Sequence, residues 1–223
     1  MIDREFLRSG GLSRALADAE REGLLRLTTP EERLRSREEL LSRSESAGSD
    51  VWVFGYGSLM WNPAFHYAEE RAAIVHGYHR RFCLIAPFGR GSRERPGLML
   101  GLDRGGTCRG VVFRIAAAQV EEELDIIWAR EKVADGYRPI WIRARTEIEE
   151  LPAIAFAIDD SLPTYAGRLS HEEIARRIAV ASGKLGHCAD YLEDTVAHLE
   201  QRGIHDRALT AIRKRVRELR GTT

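Results

Sequence analysis

The sequence predicts an α+β fold: a mixed, partly closed sheet or barrel flanked by helices, with a helical N-terminal extension. Two observations carry this. Between residues 51 and 158 the chain breaks into short β-rich runs separated by glycine and proline, and a single helical stretch interrupts them. Strands in series with few helices between them disfavour a doubly wound parallel sheet. At 223 residues the chain is long enough for one substantial core with an appendage, and short for two full domains.

The elements follow in order. Residues 1 to about 50 form a charged extension with helical patterns around Arg14 to Leu27 and from Pro30 to Ser42. The second opens on Thr29-Pro30-Glu31-Glu32, which supplies an N-cap, proline at the first helical position and the glutamate of a capping box. Ser42 to Asp50 is polar and reads as a linker, so a catalytic domain is expected over 51–223. Strands are expected at Val51 to Phe54, Ala72 to Ala86, Gly97 to Leu102, Thr107 to Ile115, Tyr137 to Arg145 and Ala153 to Ile158, with a helix from Ala117 to about Lys132. Arg90 to Pro96 reads as an exposed loop. Helix returns at the capping box Ser170-His171-Glu172-Glu173, with Gly183 and Gly203 as stops and Asp206 as the cap of a last helix bearing Leu209, Ile212, Val216 and Leu219.

Composition removes several function classes. The formal net charge is +0, so no whole-molecule field favours nucleic acid or an anionic membrane. Cys83, Cys108 and Cys188 form no Cys-x-x-Cys pair, which argues against a disulfide framework and a zinc site and fits a reducing cytoplasm. His76 and His79 fall in a strand, where a spacing of three points them to opposite faces. His66, His171, His187, His198 and His205 lie in loops or on charged helices, so no metal is expected. The N-terminus lacks the apolar stretch of a signal peptide, and no run is long enough to span a membrane.

Two features carry chemistry. The turn Phe54-Gly55-Tyr56-Gly57-Ser58-Leu59 follows an apolar run. Met60 stands where a dinucleotide fingerprint needs its third glycine, no Gly-Lys-Ser/Thr makes a P-loop, and Tyr56 and Met60 replace the glycines of a nucleophile elbow around Ser58. What remains is a strand ending in two glycines, whose successive N–H groups suit a carboxylate or a developing oxyanion. The competing reading is a tight turn with Tyr56 and Leu59 packed into the core. The second feature is Glu131, which shares the helical face of Val120, Leu124, Ile127 and Trp128. Burial there would raise its pKa toward the range a general acid/base needs. Alternatively it reaches solvent at the helix end, or pairs with Arg130 or Arg143.

Taken together, Val51 to Phe65, Gly77-Tyr-His-Arg-Arg-Phe82, Arg95-Pro-Gly-Leu98, Arg130-Glu131 with Gly136-Tyr-Arg-Pro139, and Tyr165-Ala-Gly167 closely resemble the ChaC family of γ-glutamylcyclotransferases. The likeness runs from about Val51 to Leu219. It implies a small mixed β-barrel with flanking helices and cleavage of glutathione to 5-oxoproline and cysteinylglycine, without cofactor or metal. By the same resemblance Tyr56, Gly57, Ser58 and Leu59 hold the γ-glutamyl group, Glu131 is the acid/base, and Tyr165 lies near the pocket. Met60 and Lys132 replace residues more frequent in the family. Two other readings stand beside this one: a cyclotransferase for other γ-glutamyl amines or peptides, and a non-catalytic module regulating a partner such as a transporter.

Overall fold

In the computed structural model, which describes residues 2–43 and 48–221, the expected strands close into a barrel. Its members are β1 (Val51–Gly55), β2 (Glu69–Ala86), β3 (Gly97–Ile115), β4 (Tyr137–Arg145) and β5 (Glu150–Ile158), ordered β1-β3-β2-β4-β5 with β3 also meeting β5. The sheet is mixed, as expected. β1 runs antiparallel to β3 from Val51 opposite Ile115 to Gly55 opposite Val111, whereas Val53 lies parallel to Ile154 of β5 and Leu102 parallel to Ala157. β4 and β5 form an antiparallel ladder from Tyr137 opposite Ile158 to Arg145 opposite Glu150.

β2 and β5 begin three residues earlier than expected, and two expected strands are fused. Gly97 to Leu102 and Thr107 to Ile115 are a single strand, because Gly105 (φ 94°) and Gly106 (φ 72°) let the chain bend there without leaving the ladder. A sequence reading takes such a glycine pair for a break.

The chain divides into two units: residues 1–80 with 102–159, and 81–101 with 160–223. The first holds most of the barrel. Its strands bury Val53, Phe54, Phe113, Ile154 and Phe156, and β5 is buried on both faces from Ala153 to Ile158. Gly110 serves this packing. A Cβ there would lie 2.3 Å from the Gly55 carbonyl oxygen and 2.7 Å from the Phe54 ring. Gly110→Ala is therefore expected to wedge β3 from β1 at the point where the 54–59 turn begins. Overpacking of this kind destabilises by roughly 1–3 kcal/mol, read as a lower midpoint in urea unfolding at unchanged m-value.

The extension belongs to this first unit. It comprises α1 (Arg4–Arg8), α2 (Gly11–Arg21) and α3 (Pro30–Leu41), the last with the expected capping box between Thr29 and Glu32. The short α1 escaped the sequence reading. α2 stops at Arg21 instead of reaching Leu27, because Gly23 turns left-handed (φ 68°) and Leu27 then bridges to Ala134 in extended form. The expected linker at 42–50 falls partly outside the described residues.

After a 3₁₀ turn at Ala117–Gln119 comes α4 (Val120–Glu131), the helix bearing the candidate acid/base. It buries Leu124, Ile126, Ile127 and Trp128, and Trp128 stands edge-on to Phe156 with ring centroids 5.0 Å apart. α3 lies along it: Trp128 Nε1 donates to Ser36 Oγ at 3.3 Å, and Arg37 donates to the Glu121 carbonyl at 3.0 Å and pairs with Asp125.

The second unit contains the outer ends of β2 and β3, the small hairpin β6 (Ser182–Gly183) and β7 (Gly186–His187), and α5 (His171–Val180), α6 (Cys188–Gln201) and α7 (Arg207–Arg220). Ser170 and Asp206 cap α5 and α7 as read from the sequence. Gly183 is not the stop expected for α5, which ends at Val180 and gives way to the hairpin. A Cβ on Gly183 would lie 2.3 Å from the Gly91 oxygen, so glycine here admits a close backbone approach. Arg93, Glu94 and Arg95 are exposed, while Leu185 N–H donates to the Gly89 carbonyl at 2.8 Å and holds the hairpin to the start of that loop.

The three cysteines carry no disulfide and are all buried, Cys83 and Cys188 at 0% exposure and Cys108 at 1%.

Candidate active site

The site is built where β1 ends and where α4 ends, both in the first unit. β1 delivers Gly55 into the 54–59 turn, which continues as a 3₁₀ turn at Ser58–Met60. Tyr56 and Leu59 are buried, as the tight-turn reading required. The Tyr56 hydroxyl donates to the Phe156 carbonyl at 2.8 Å, and Arg80, itself buried in β2, donates to the Tyr56 carbonyl at 2.6 Å. Met60 N–H closes onto the Gly57 carbonyl at 2.9 Å and Asn62 N–H onto Ser58 at 2.9 Å. The N–H groups of Gly57, Ser58 and Leu59 take no backbone acceptor among the described residues. The side chains pack, and the N–H groups of Gly57, Ser58 and Leu59 are the donors that the anion-binding reading needs.

Glu131 occupies the last turn of α4, its side chain 14% exposed. Burial pushes its pKa up, and Arg130 pulls it partly back. The negative end of the helix dipole acts in the same direction as burial. Arg130 Nε lies 3.1 Å from Glu131 Oε1, whereas Arg143 pairs with Glu150 at 3.2 Å. Among the described residues only Arg130 reaches this carboxyl, which leaves its other oxygen uncommitted.

Arg130 joins the two features. Its side chain is 8% exposed, and besides Glu131 it donates through Nη2 to Ser58 Oγ at 2.9 Å and through Nη1 to the Asn62 carbonyl. One guanidinium thus ties the turn to the carboxylate, using the planar fork that lysine lacks. Tyr165 belongs to the second unit, where it bridges to Leu84 and its N–H donates to the Leu162 carbonyl at 3.0 Å.

Sequence reasoning missed three contributors. Arg80 had a usable signal: it alternates with Phe82 along β2 and so belongs on the same face as a core residue. Arg130 was read only as a possible ion-pair partner. Glu123 lies on α4 with its side chain at 0% exposure, paired with Arg4 and accepting from His66 N–H at 2.9 Å. No local pattern announces a buried glutamate held through one oxygen by such distant partners, its Oε1 having no hydrogen-bond partner among the described residues. The stripe shifts accordingly, with Val120 only half-buried. Lys132, also outside the expected chemistry, donates to the Tyr137 carbonyl at 2.7 Å, and burial lowers its pKa. The described residues hold no group of three or more His, Cys, Asp or Glu disposed to bind a metal ion.

Comparison with known proteins gives a consistent picture. The family model described as ChaC-like protein matches residues 51–219. The Escherichia coli (strain K12) protein named glutathione-specific gamma-glutamylcyclotransferase is 37% identical over 220 residues, covering 98% of this chain and 94% of its own. The Homo sapiens glutathione-specific gamma-glutamylcyclotransferase 1 is 34% identical over 155 residues, covering 67% of this chain and 70% of its own. Among solved structures, a yeast gamma-glutamyl cyclotransferase described as specific to glutathione superposes with a TM-score of 0.67 at 23% identity, covering 78% of this chain and 99% of that one, a likeness of fold. With the family model spanning the barrel and the helices after it, and a relative aligned along nearly the whole length, the chain belongs to the ChaC-like protein family.

Proposed function

We propose that this chain is a γ-glutamylcyclotransferase that converts glutathione to 5-oxoproline and cysteinylglycine. The observation that carries the proposal is the guanidinium of Arg130, which holds a buried carboxyl and a turn of backbone donors together. Membership of a family whose relatives bear that activity in their names supports the same substrate.

The chemistry follows from the residues. The substrate's α-amine is the nucleophile, so no catalytic serine or cysteine is required. Glu131 takes a proton from the α-ammonium, and the amine nitrogen attacks the γ-carbonyl carbon to form the lactam C–N bond. The bond to the cysteinyl nitrogen then breaks, and the protons lost by the ring nitrogen pass to the departing amine. Atoms balance without water. The N–H groups of Gly57, Ser58 and Leu59 stabilise the substrate α-carboxylate or the oxyanion on the γ-carbonyl, a role in which one donor is typically worth about 10²–10³-fold. Tyr56 acts through its backbone, its hydroxyl being committed to Phe156. Tyr165 is assigned to the substrate pocket on its match to the family pattern. Folding the γ-glutamyl chain for ring closure contributes through orientation.

Glu131 titrates above an ordinary glutamate and works as a base, so kcat/KM is expected to rise with pH through its raised pKa. Incubation with reduced glutathione is expected to release 5-oxoproline and cysteinylglycine in equal amounts, detected by mass spectrometry. γ-Glutamyl-alanine is expected to turn over more slowly. Release of 5-oxoproline from γ-glutamyl-alanine but not from glutathione would instead assign a different γ-glutamyl substrate.

We assign the protein to the cytoplasm, where thiols such as Cys83, Cys108 and Cys188 stay reduced. Among the described residues no helix is long and apolar enough to cross a membrane. The balanced charge favours a small-molecule substrate over a nucleic acid or membrane partner.

A further inference from the structure

The extension reaches the end of the helix that carries Glu131. Lys132 is the C-cap of α4, and the carbonyls at and beyond a helix end have no partner within the helix. Both are met from far upstream by one residue. Thr28 Oγ1 donates to the Lys132 carbonyl, and Thr28 N–H donates to the Val133 carbonyl at 3.0 Å. The pairing continues outward: Leu27 bridges Ala134, and Asp135 N–H donates to the Arg26 carbonyl at 3.2 Å. Arg26 grips the Asp135 carboxylate with Nε at 2.7 Å and Nη2 at 3.0 Å.

Thr28 is only 6% exposed and is itself held, since Arg33 Nη1 donates to its carbonyl at 2.6 Å. It immediately precedes Thr29, the N-cap of α3. One short segment therefore starts α3 and finishes α4.

We propose that Thr28 is a positioning residue for catalysis: it caps α4 from outside and so fixes the last turn on which Glu131 is carried. The proposal rests on the role given to Glu131 above. It also gives part of the extension a purpose within the catalytic unit, since Thr28 lies outside residues 51–219 matched by the family model. A buried hydroxyl bonded to a helix-end carbonyl holds that carbonyl at a defined point. With the bond gone, the last turn is free to fray and to admit water beside Glu131.

The test compares Thr28→Val, which keeps shape and deletes the hydroxyl, with Thr28→Ser, which restores it. Wild-type release of 5-oxoproline from glutathione is measured first, and its failure would count against the proposed function alone. Given that activity, Thr28→Val is expected to lose about ten- to a hundredfold in kcat, the scale of a small misplacement of a catalytic group. KM should stay within about twofold, because the 54–59 turn is untouched, and Thr28→Ser should recover most of the loss. A second readout needs no substrate. The carboxyl ¹³C titration of Glu131, assigned by its loss in Glu131→Gln, should move toward the ordinary glutamate range in Thr28→Val and return in Thr28→Ser. Wild-type kcat per folded molecule together with an unmoved titration would overturn the proposal. If Thr28→Val does not accumulate as folded protein, Arg26→Ala takes its place: a lower kcat at constant KM supports the capping role, and wild-type kcat refutes it.

Discussion

Turnover in Glu131→Gln is expected to fall by about 10²–10⁴-fold, the contribution of a general acid/base, while glutathione still binds. Glutamine keeps the size of the side chain and its acceptor oxygen for Arg130, and it removes the titratable proton. The same substitution carries a stability signature of opposite sign. Burial raises the native pKa of Glu131 above its unfolded value, so the native state holds this proton longer. Stability from the group is therefore full below the unfolded pKa and is lost as pH rises through the native one. Near neutral pH the raised native pKa makes this carboxyl a cost to folding that glutamine lacks. Thermal unfolding near pH 7 should give a Tm for Glu131→Gln equal to or above wild type. A lower Tm alongside the lost turnover would mean that the side chain matters for folding, and the assignment of a proton shuttle would fall.

Trp128→Ala is expected to produce the largest loss of stability among the substitutions considered. Removing a buried tryptophan typically costs about 3–5 kcal/mol, against a total of about 5–15 kcal/mol for a domain. Trp128 is 1% exposed, stands edge-on to Phe156 and donates to Ser36, so it links α4 to the barrel on one side and to α3 on the other. Phe156 also supplies the carbonyl that receives the Tyr56 hydroxyl. The cavity left by alanine would thus lie beneath both halves of the site. Urea unfolding should show the drop in ΔG, and turnover per folded molecule should fall as well. Trp128→Phe, which keeps most of the ring contact and gives up the bond to Ser36, should lose distinctly less. Equal losses in the two variants would shift the weight from ring packing to that single hydrogen bond.

Much of this arrangement was legible in the residue order because it is local. β4 was read to the residue, and the capping boxes at Thr29 and Ser170 are present, since strand patterning and N-caps are set by neighbours a few positions apart. The turn and Glu131 were singled out from short-range features too: two glycines after an apolar run, and a glutamate on an apolar helical face. What escaped depends on partners far along the chain. Arg130 is defined by its bonds to Ser58 and Asn62, Glu123 by Arg4 and His66, and Thr28 by Lys132 and Val133. Periodicity says which side of a helix is covered, but not which polar group from another element covers it. The glycine pair at Gly105 and Gly106 failed in the other direction, since a local break signal was overridden by pairing on both sides of it.

The burial of all three cysteines has a consequence for the company this protein keeps. A protein proposed to work on a thiol tripeptide is exposed to that tripeptide's disulfide form, which exchanges with accessible thiolates. Cys83, Cys108 and Cys188 offer none: their sulfurs lie within the two units, and burial raises the Cys188 pKa so that its thiolate is scarcer still. Oxidised glutathione therefore has no surface handle for a mixed disulfide, and turnover should follow the supply of reduced substrate without being throttled by the redox balance of the pool.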